Sequence, residues 1–266
     1  NILKRTWEDK LKIIIINMSL PTEYKPKKNF SLIRLGRDND GGYLIGYNTI
    51  KNTKSLISFG ILDDCSFEND FKRKNSVEIF CFDLTDYKSY WIKRIYNDLG
   101  ASIYNFNFSF LKNTMKKYFE FNKFFKEKEN FLYKKNIIKG SLKELIENTN
   151  MIKKPFLIKI DIEGSEYRLL DEILFHQKFL TGLVIEFHDV DLNQEKISEF
   201  IKNFNLELTH IHPNNFGLKD ENGDPKVIEM TFEKTPLIKE GLNNLPNDLD
   251  QPCDSKNKEI KLNFSK

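Results

Sequence analysis

The chain has 266 residues, of which 39% are hydrophobic and 30% are charged, and its formal net charge is +3. A chain of this length and apolar content can bury the core of one large domain, and so mild a charge does not by itself indicate a nucleic-acid-binding protein. The three cysteines, Cys65, Cys81 and Cys253, are odd in number and widely spaced, which argues against a disulfide framework or a zinc site.

The first part of the chain, residues 1–50, is predicted to form an N-terminal helix and a cap segment. Residues 2–19 place apolar side chains at helical spacing. Four isoleucines at 13–16 form a run too short to span a membrane or to act as the core of a signal peptide, so we expect a cytoplasmic protein. The turn-rich segment RLGRDNDGGYLIG, residues 34–46, follows between short apolar runs.

Alternating strand and helix patterns predict a single domain over residues 51–266. Strands separated by helices favour an α/β fold with a doubly wound, mostly parallel sheet. The last two strands are joined by the turn-like linker KDENGDPK and are predicted to form an antiparallel pair. The predicted strands cover residues 55–60, 77–83, 101–106, 156–161, 182–187, 206–211 and 226–232, with helices near 66–74 and 86–98.

Residues 107–155 are too many for a bare loop and are predicted to be an inserted helical segment. Aromatic residues interleaved with lysines can form a platform for single-stranded nucleic acid. Because glutamates interrupt the positive charge, we prefer the alternative in which the aromatic rings pack inward and the lysines face water. We therefore expect no nucleic-acid partner. The aromatic residues concerned are Tyr118, Phe121, Phe124, Phe125 and Phe131.

The residues that end the predicted strands are candidate site residues, because open parallel sheets bind ligands beyond the carboxyl ends of their strands. The first strand ends with one glycine, Gly60, and the carboxylates Asp63, Asp64 and Glu68, where a dinucleotide-binding turn needs GxGxxG. Such a turn repels a pyrophosphate but tolerates an ammonium and a sulfonium group. Asp83 ends the second strand and can bind a ribose diol. Each aspartate can also be an ordinary turn residue, but together they favour S-adenosylmethionine.

The most apolar predicted strand ends in two carboxylates. In FLIKIDIEGSEYRLL, residues 156–170, Lys159, Asp161 and Glu163 share one side of the strand because side chains alternate. A buried lysine needs a partner, and Glu186 on the next strand is the natural one. Three of the four histidines also lie at strand exits, which favours a functional cluster. They are His188, which follows Glu186, and His210 and His212 in THIHPNN, which also contains Asn214 and Asn215.

Several of these strings together resemble the FkbM-type family of S-adenosylmethionine-dependent methyltransferases. LIKIDIEGSE is similar to the family signature KxDxEGxE, and LIRLGRDNDGGYLI, SFGILDDCSFE and HIHPNN resemble further blocks, over roughly residues 32–232. The chain resembles in particular enzymes that modify capsular polysaccharides, including those thought to methylate a phosphoramidate group. The resemblance implies a class I, Rossmann-like methyltransferase fold and transfer to oxygen. The first loop departs from it, since it lacks the multi-glycine pattern of many methyltransferases.

Methyl transfer needs alignment of the reacting atoms and a base or metal to activate the hydroxyl. The predicted catalytic residues are His188, as the base, with Asp161, Glu163 and His212. The predicted cofactor-binding residues are Tyr43, Phe59, Gly60, Glu68, Asp83, Leu84, Ser141 and Asp161. The predicted substrate-binding residues are Arg34, Arg37, His210, Asn214 and Asn215, with the arginines binding phosphate-like oxygens. A divalent cation, Mg²⁺ or Mn²⁺, can be held by Asp161, His188 and His212.

Other activities remain open from the sequence. A metal-dependent phosphotransferase or hydrolase can use Asp161, Glu163 and His188. A nicotinamide-dependent dehydrogenase shares the strand pattern, although the first loop argues against it, and a non-catalytic carbohydrate-binding protein would use the same crevice. For the methyltransferase, we expect a small-molecule or glycan-linked anionic acceptor, such as a surface-polysaccharide precursor or its phosphate or phosphoramidate substituent. We expect no stable membrane insertion, and the sequence does not determine the oligomeric state.

Overall fold

The computed structural model describes residues 20–147 and 151–265, so the helix predicted over residues 2–19 lies outside the described residues. The strands are β1 (Ile33–Leu35), β2 (Tyr43–Ile45), β3 (Ser55–Phe59), β4 (Glu78–Asp83), β5 (Asn130–Lys134), β6 (Phe156–Ile160), β7 (Leu180–Phe187), β8 (Glu207–Pro213) and β9 (Ile228–Glu233). The helices are α1 (Tyr47–Asn52), α2 (Ser66–Lys74), α3 (Tyr87–Tyr104), α4 (Ser109–Phe125), α5 (Ser141–Glu147), α6 (Leu170–His176) and α7 (Val190–Asn203), with short 3-10 turns at Thr22–Tyr24, Glu166–Arg168 and Gln177–Phe179.

Seven strands form one sheet in the order β5-β4-β3-β6-β7-β9-β8. The five strands from β5 to β7 are parallel, and β9 lies antiparallel between β7 and β8. The first strand of this sheet, β3, lies in its middle. The next strands, β4 and β5, extend one side and the later strands extend the other, which is the doubly wound pattern. The predicted class I methyltransferase fold and its antiparallel last strand pair are therefore confirmed.

Two parts of the strand prediction were wrong. Residues 101–106 do not form a strand, because α3 continues through Tyr104. The segment 107–155 is not a purely helical insertion, since it contains α4, α5 and the sheet's edge strand β5, which pairs in parallel with β4. A short apolar run does not by itself distinguish a strand from a helix end, and β5 has only five residues with lysines close on both sides.

The sheet is buried on both faces. Every residue of β6 is buried, and its side chains alternate between two cores. Phe156, Ile158 and Ile160 belong to the larger core, and Leu157 belongs to the smaller one. Continuous burial of this kind is why the parallel strands read as unbroken apolar runs in the sequence. A polar side chain on such a strand, such as Lys159, must therefore find its partner inside the protein.

The β1–β2 hairpin covers the β9 end of the sheet. Thr231 Oγ1 donates a hydrogen bond to Leu44 O at 2.8 Å, and Gly46 N donates to the buried carboxylate of Glu233 at 3.1 Å. The two ends of the described chain are joined as well, because Leu20 N donates to Asn263 O at 2.9 Å. Within residues 20–147 and 151–265, none of the helices has the length and apolar character needed to cross a bilayer.

Candidate active site

A crevice of about 660 Å³ opens at the carboxyl ends of the parallel strands. Its size is typical of a small-molecule site, and its position is the one that a doubly wound sheet provides for ligands. One side, which we call the β3–β4 wall, consists of residues 60–64 and 82–85. The opposite side, the β6–β7 wall, contains Asp161, Ile162, Glu163, Ser165, Glu186 and His188.

Gly60 lets the two walls approach each other. Its φ of +76° lies in the left-handed region, and a Cβ atom there would overlap the carbonyl oxygen of Asp161. Any other residue would therefore strain the backbone and push the strand ends apart. Gly60, predicted as a cofactor-binding residue, forms part of the crevice surface.

Asp83 organises the β3–β4 wall. Its Oδ2 accepts hydrogen bonds from Ile61 N and Leu62 N, both at 3.0 Å, and its Oδ1 accepts one from Thr85 N at 2.7 Å. Burial raises the pKa of Asp83, but the hydrogen bonds from Thr85, Ile61 and Leu62 outweigh it and the pKa is lowered. The carboxylate is therefore ionised and fixed. The predicted cofactor residue Leu84 lies beside it, exposed at the crevice edge.

The predicted ion pair between Lys159 and Glu186 is wrong, because Lys159 faces Glu68 of α2. Lys159 Nζ lies 4.0 Å from Glu68 Oε1 and donates to Gly60 O at 3.1 Å. Burial lowers the pKa of Lys159, but Glu68 and then Asp161 raise it by more, so the ammonium is charged. Glu68 is fully buried and is absent from the crevice lining. Its carboxylate therefore lies behind the β3–β4 wall instead of on the crevice surface.

The β6–β7 wall brings carboxylates close together. Tyr43 Oη lies 3.1 Å from Asp161 Oδ2 and 3.3 Å from Glu186 Oε2, and Asn214 Nδ2 donates to Glu186 Oε1 at 2.8 Å. Burial raises the pKa of Glu186 well above its usual value, and the neighbouring Asp161 and Glu229 raise it further. A proton on Glu186, or a cation bound to it, is therefore favoured.

His188 stands at the end of β7 between three carboxylates. Its Nδ1 lies 3.3 Å from Glu166 Oε1, while its Nε2 lies 3.4 Å from Glu163 Oε2 and 3.8 Å from Glu186 Oε1. The buried Glu166 also accepts the His188 backbone N–H at 2.7 Å. Burial lowers the pKa of His188, but Glu166 and then Glu163 and Asp161 raise it overall. Glu166 thus orients the ring with Nε2 toward the crevice.

Asp161, Glu186 and His188 can converge on one cation. Their ligand atoms all lie within 4.8 Å of one another, and the three residues line the crevice. His212, predicted as a ligand with Asp161 and His188, instead groups with Glu229 and Cys253. Glu186 takes the place of His212 in the predicted set because it lies on β7, which pairs with β6, the strand that Asp161 follows.

The predicted residues of THIHPNN divide between the crevice and the C-terminal segment. Only Asn214 lines the crevice. His210 Nε2 lies 2.8 Å from Asp250 Oδ1, and Asn215 Nδ2 donates to Asp254 O at 2.9 Å. His212 lies between Glu229, at 3.2 Å, and Glu259, at 3.5 Å. His210, His212 and Asn215 therefore hold the C-terminal segment against β8 instead of facing a ligand.

Arg34 and Arg37 have different positions. Arg37 lines the crevice, and its Nε donates to Asp40 O at 2.6 Å and lies 3.0 Å from Asp64 Oδ2. Arg34 is not part of the crevice lining. Its Nη2 donates to Asn39 O at 2.6 Å and braces the loop that carries Arg37.

Two more predicted cofactor residues lie behind the crevice surface. Phe59 is a core residue, and Ser141 is buried, with its Oγ accepting a hydrogen bond from Ile138 N at 3.0 Å. Sequence reasoning missed the lining residues that follow β5, because that strand was not recognised. It also missed Glu166, although this residue is the final glutamate of the EGSE string. The missed lining residues include Asp40, Lys135, Asn136, Ile137 and Phe216.

Comparison with known proteins gives a family match. A model described as "Methyltransferase FkbM domain" matches residues 95–233, whereas no curated protein sequence matches the chain. Solved structures similar to this chain include M. capricolum TrmK in complex with S-adenosyl-homocysteine, at 11% identity over 75% of this chain and 71% of that chain with a TM-score of 0.36. The Methanococcus jannaschii fibrillarin pre-rRNA processing protein is similar at 10% identity over 77% of this chain and 82% of that chain, with a TM-score of 0.41. A precorrin-6y C5,15-methyltransferase from Geobacter metallireducens is similar at 13% identity over 71% of this chain and 85% of that chain, with a TM-score of 0.38. At these TM-scores the similarities carry no functional argument.

Proposed function

The chain belongs to the FkbM methyltransferase domain family, whose model matches more than half of it, and we propose that it methylates an oxygen of an anionic glycan-linked acceptor. Membership makes it an S-adenosylmethionine-dependent methyltransferase, and the dehydrogenase and phosphotransferase alternatives are set aside. The acceptor that we propose is a surface-polysaccharide precursor or its phosphate or phosphoramidate substituent.

The observation that carries the proposal is the Glu166–His188 pair on the β6–β7 wall. A neutral imidazole whose Nδ1–H is held by a carboxylate presents the lone pair of Nε2, which is the arrangement of a general base. Glu166 Oε1 accepts the backbone N–H of His188 and lies 3.3 Å from its Nδ1, so the ring turns Nδ1 toward Glu166 and leaves Nε2 for the acceptor. The β3–β4 wall, with Gly60 and Asp83, is the proposed site of the cofactor.

The reaction needs little covalent chemistry from the protein. The acceptor oxygen attacks the methyl carbon in line with the carbon–sulfur bond. That bond breaks, its electron pair remains on sulfur as the thioether of S-adenosylhomocysteine, and the hydroxyl proton passes to Nε2 of His188. The carboxylates beside His188 raise its pKa, and the positive sulfonium of a bound cofactor opposes that rise.

The same wall also fits a divalent cation held by Asp161, Glu186 and His188. The two carboxylates suit Mg²⁺ or Mn²⁺, and the imidazole favours a first-row transition ion such as Mn²⁺ over Mg²⁺. The buried Glu186 also has neighbouring carboxylates that a cation would stabilise. A bound cation would acidify the acceptor hydroxyl. Dialysis against a chelator distinguishes this role from the base: turnover that is lost and then restored by Mn²⁺ or Mg²⁺ supports the cation, and unchanged turnover supports His188 alone.

Arg37 is the proposed contact for the acceptor's negative charge. Its guanidinium lines the crevice beside Asp40 and Asp64, and arginine can bind phosphate-like oxygens in a bidentate manner that lysine does not reproduce. Besides Arg37, the basic side chains of the crevice lining are Lys135, Lys159 and His188, among several carboxylates. An anionic acceptor therefore needs these residues or a bound cation to offset the negative charge.

The test combines calorimetry with a transfer assay. We expect the parent protein to bind S-adenosylmethionine and to methylate sugar phosphates or phosphoramidates faster than the matching neutral sugars. Arg37→Lys is expected to reduce transfer to the charged acceptors while leaving cofactor affinity nearly intact, and Arg73→Lys, at an exposed position of α2, is the matched control. Equal loss on charged and neutral acceptors, or a loss confined to cofactor binding, would contradict the anionic-acceptor proposal.

A further inference from the structure

The helices α3 and α4 form an antiparallel hairpin, residues 87–125, whose two halves differ. The inner half packs on the domain, where Trp91, Phe121 and Phe124 are buried. In the outer half, residues 95–116, only Ser102 and Thr114 are buried. Their hydrogen bonds stay inside the hairpin, because Thr114 Oγ1 donates to Asp98 and Ser102 Oγ accepts from Leu111 N. The outer half therefore packs mainly on itself.

The outer surface of the hairpin is apolar. Along α3, Ile92, Tyr96, Leu99 and Ile103 follow one another at intervals of four, three and four residues, which places them on one face of the helix. All four are exposed. A helix face of this kind normally lies against a partner, since contiguous exposed apolar surface marks an interaction site.

The tip of the hairpin continues this surface. In YNFNFSF, residues 104–110, every second residue is aromatic, and all four rings are exposed. Tyr104 is 83% exposed and Phe106 is 94% exposed, with Phe108 and Phe110 also exposed. An isolated exposed ring is ordinary, but four on one connection, next to the α3 face, form a continuous apolar edge.

The hairpin is also the positive part of the molecule. Residues 87–125 contain seven basic and two acidic side chains, a net charge of +5, whereas the whole chain has +3, so the remainder has −2. Lys88, Lys93, Lys112, Lys116 and Lys123 point away from the buried core. Lysine stems can lie along an apolar surface while their ammonium groups reach the surrounding polar layer.

We propose that this hairpin docks reversibly, through its exposed face and tip, on a bilayer surface that contains anionic phospholipids. The aromatic tip and the α3 face would enter the interfacial layer, and the lysines would contact lipid phosphates. Nucleic acid fits less well, because Ile92, Leu99 and Ile103 are aliphatic and cannot stack on bases as aromatic platforms do. A second copy of the chain fits less well because two hairpins of charge +5 would repel each other. The inference does not depend on the proposed acceptor.

The test is vesicle flotation with the full chain, comparing phosphatidylcholine vesicles with vesicles that also contain phosphatidylglycerol. We expect binding only to the anionic vesicles, weakening as salt is added. The double variant Phe106→Ser, Phe108→Ser and the double variant Lys112→Glu, Lys116→Glu should each reduce partitioning at least about tenfold, by removing apolar insertion and charge attraction respectively. All four positions are exposed, so the thermal midpoints should match that of the parent.

Matched controls lie outside the hairpin. Leu218→Ser with Leu242→Ser, and Lys239→Glu with Lys258→Glu, change equally exposed residues and should leave vesicle binding unchanged. Absence of binding by the parent protein, or equal loss in the control variants, would overturn the proposal. Two other results, each without vesicle binding, would also overturn the proposal. One is tight binding of a single-stranded oligonucleotide, and the other is a dimer that dissociates when Phe106 and Phe108 are replaced.

Discussion

The two walls of the crevice use their carboxylates in opposite ways. On the β3–β4 wall, Asp83 accepts hydrogen bonds from three backbone N–H groups, and these lower its pKa although it is partly buried. On the β6–β7 wall, Glu186 is buried beside Asp161 and Glu229, and its pKa is raised. Hydrogen bonds within the fold favour the ionised form of Asp83, whereas burial and neighbouring carboxylates favour a protonated or cation-bound Glu186. A preformed wall suits a cofactor, and an incompletely neutralised wall suits chemistry.

The largest expected effect is on the β6–β7 wall. We expect His188→Gln to lower turnover by about 10²–10⁴-fold, the usual contribution of a general base, because glutamine cannot accept the hydroxyl proton. Cofactor affinity measured by calorimetry should change little, since His188 lies opposite the β3–β4 wall. His176→Gln, outside the crevice lining, is the matched histidine control. A His188→Gln variant with parent-like turnover would remove the base assignment.

Lys159 lies between the two walls and gives the next effect. Lys159→Met should reduce the free energy of unfolding by roughly 3 kcal/mol or more, because it strands a buried carboxylate. With Glu68 as the partner, adding Glu68→Leu should recover much of the loss in chemical denaturation, whereas adding Glu186→Gln should not. Recovery by Glu186→Gln alone would assign Lys159 to the β6–β7 wall instead.

On the β3–β4 wall, Asp83→Ala should weaken S-adenosylmethionine binding about tenfold or more, since hydrogen bonds to a charged group contribute about 1.5–3 kcal/mol. The loss would have two sources, the missing carboxylate and the release of the amides of Ile61 and Leu62. Asp83→Asn keeps the shape and one oxygen acceptor, so its affinity should lie between those of parent and Asp83→Ala. Equal affinities for all three proteins would exclude Asp83 from the cofactor site.

The smallest effect lies outside both walls, at His212. Burial lowers its pKa, but hydrogen bonds with Cys253, Glu229 and Glu259 raise it to about 12, above the value of about 6.5 for an unfolded histidine. The folded state therefore holds the proton more tightly, and this stabilisation is complete below about pH 6.5 and decreases as the pH rises toward 12.

We therefore expect His212→Gln to cost more stability near pH 6 than near pH 9, with a difference of at least about 1.4 kcal/mol, the equivalent of one pKa unit. Chemical denaturation of parent and variant at both pH values measures this difference. A pH-independent cost would mean that His212 is neutral in the folded protein.

Much of the fold followed from local patterns. The segments corresponding to β3, β4, β6, β7, β8 and β9 were recognised because buried strands require short, continuous apolar runs. The segment 101–106 was wrongly predicted as a strand because it is also a short apolar run, but its apolar residues belong to the exposed end of α3. Strand β5 was not predicted, because it is defined by its pairing with β4 and not by its own composition.

The candidate site was predictable only in part. Strand exits indicated Gly60, Asp83, Asp161, Glu163, His188 and Asn214 as candidates, and all six line the crevice, because parallel strands necessarily end at one edge. Asp40, in a loop that crosses that edge, and Glu166, beside His188, were not predicted. Their positions depend on packing between segments far apart in the sequence.

The sequence by itself determined most of the strands in their order along the chain, the strand face that Lys159 shares with Asp161, and the family to which the blocks belong. Tertiary structure alone decided that Lys159 pairs with Glu68 and that His210 and His212 bind the C-terminal segment. The physical reason is that strand periodicity specifies the face a side chain occupies, whereas its partner is set by whichever helix or loop covers that face.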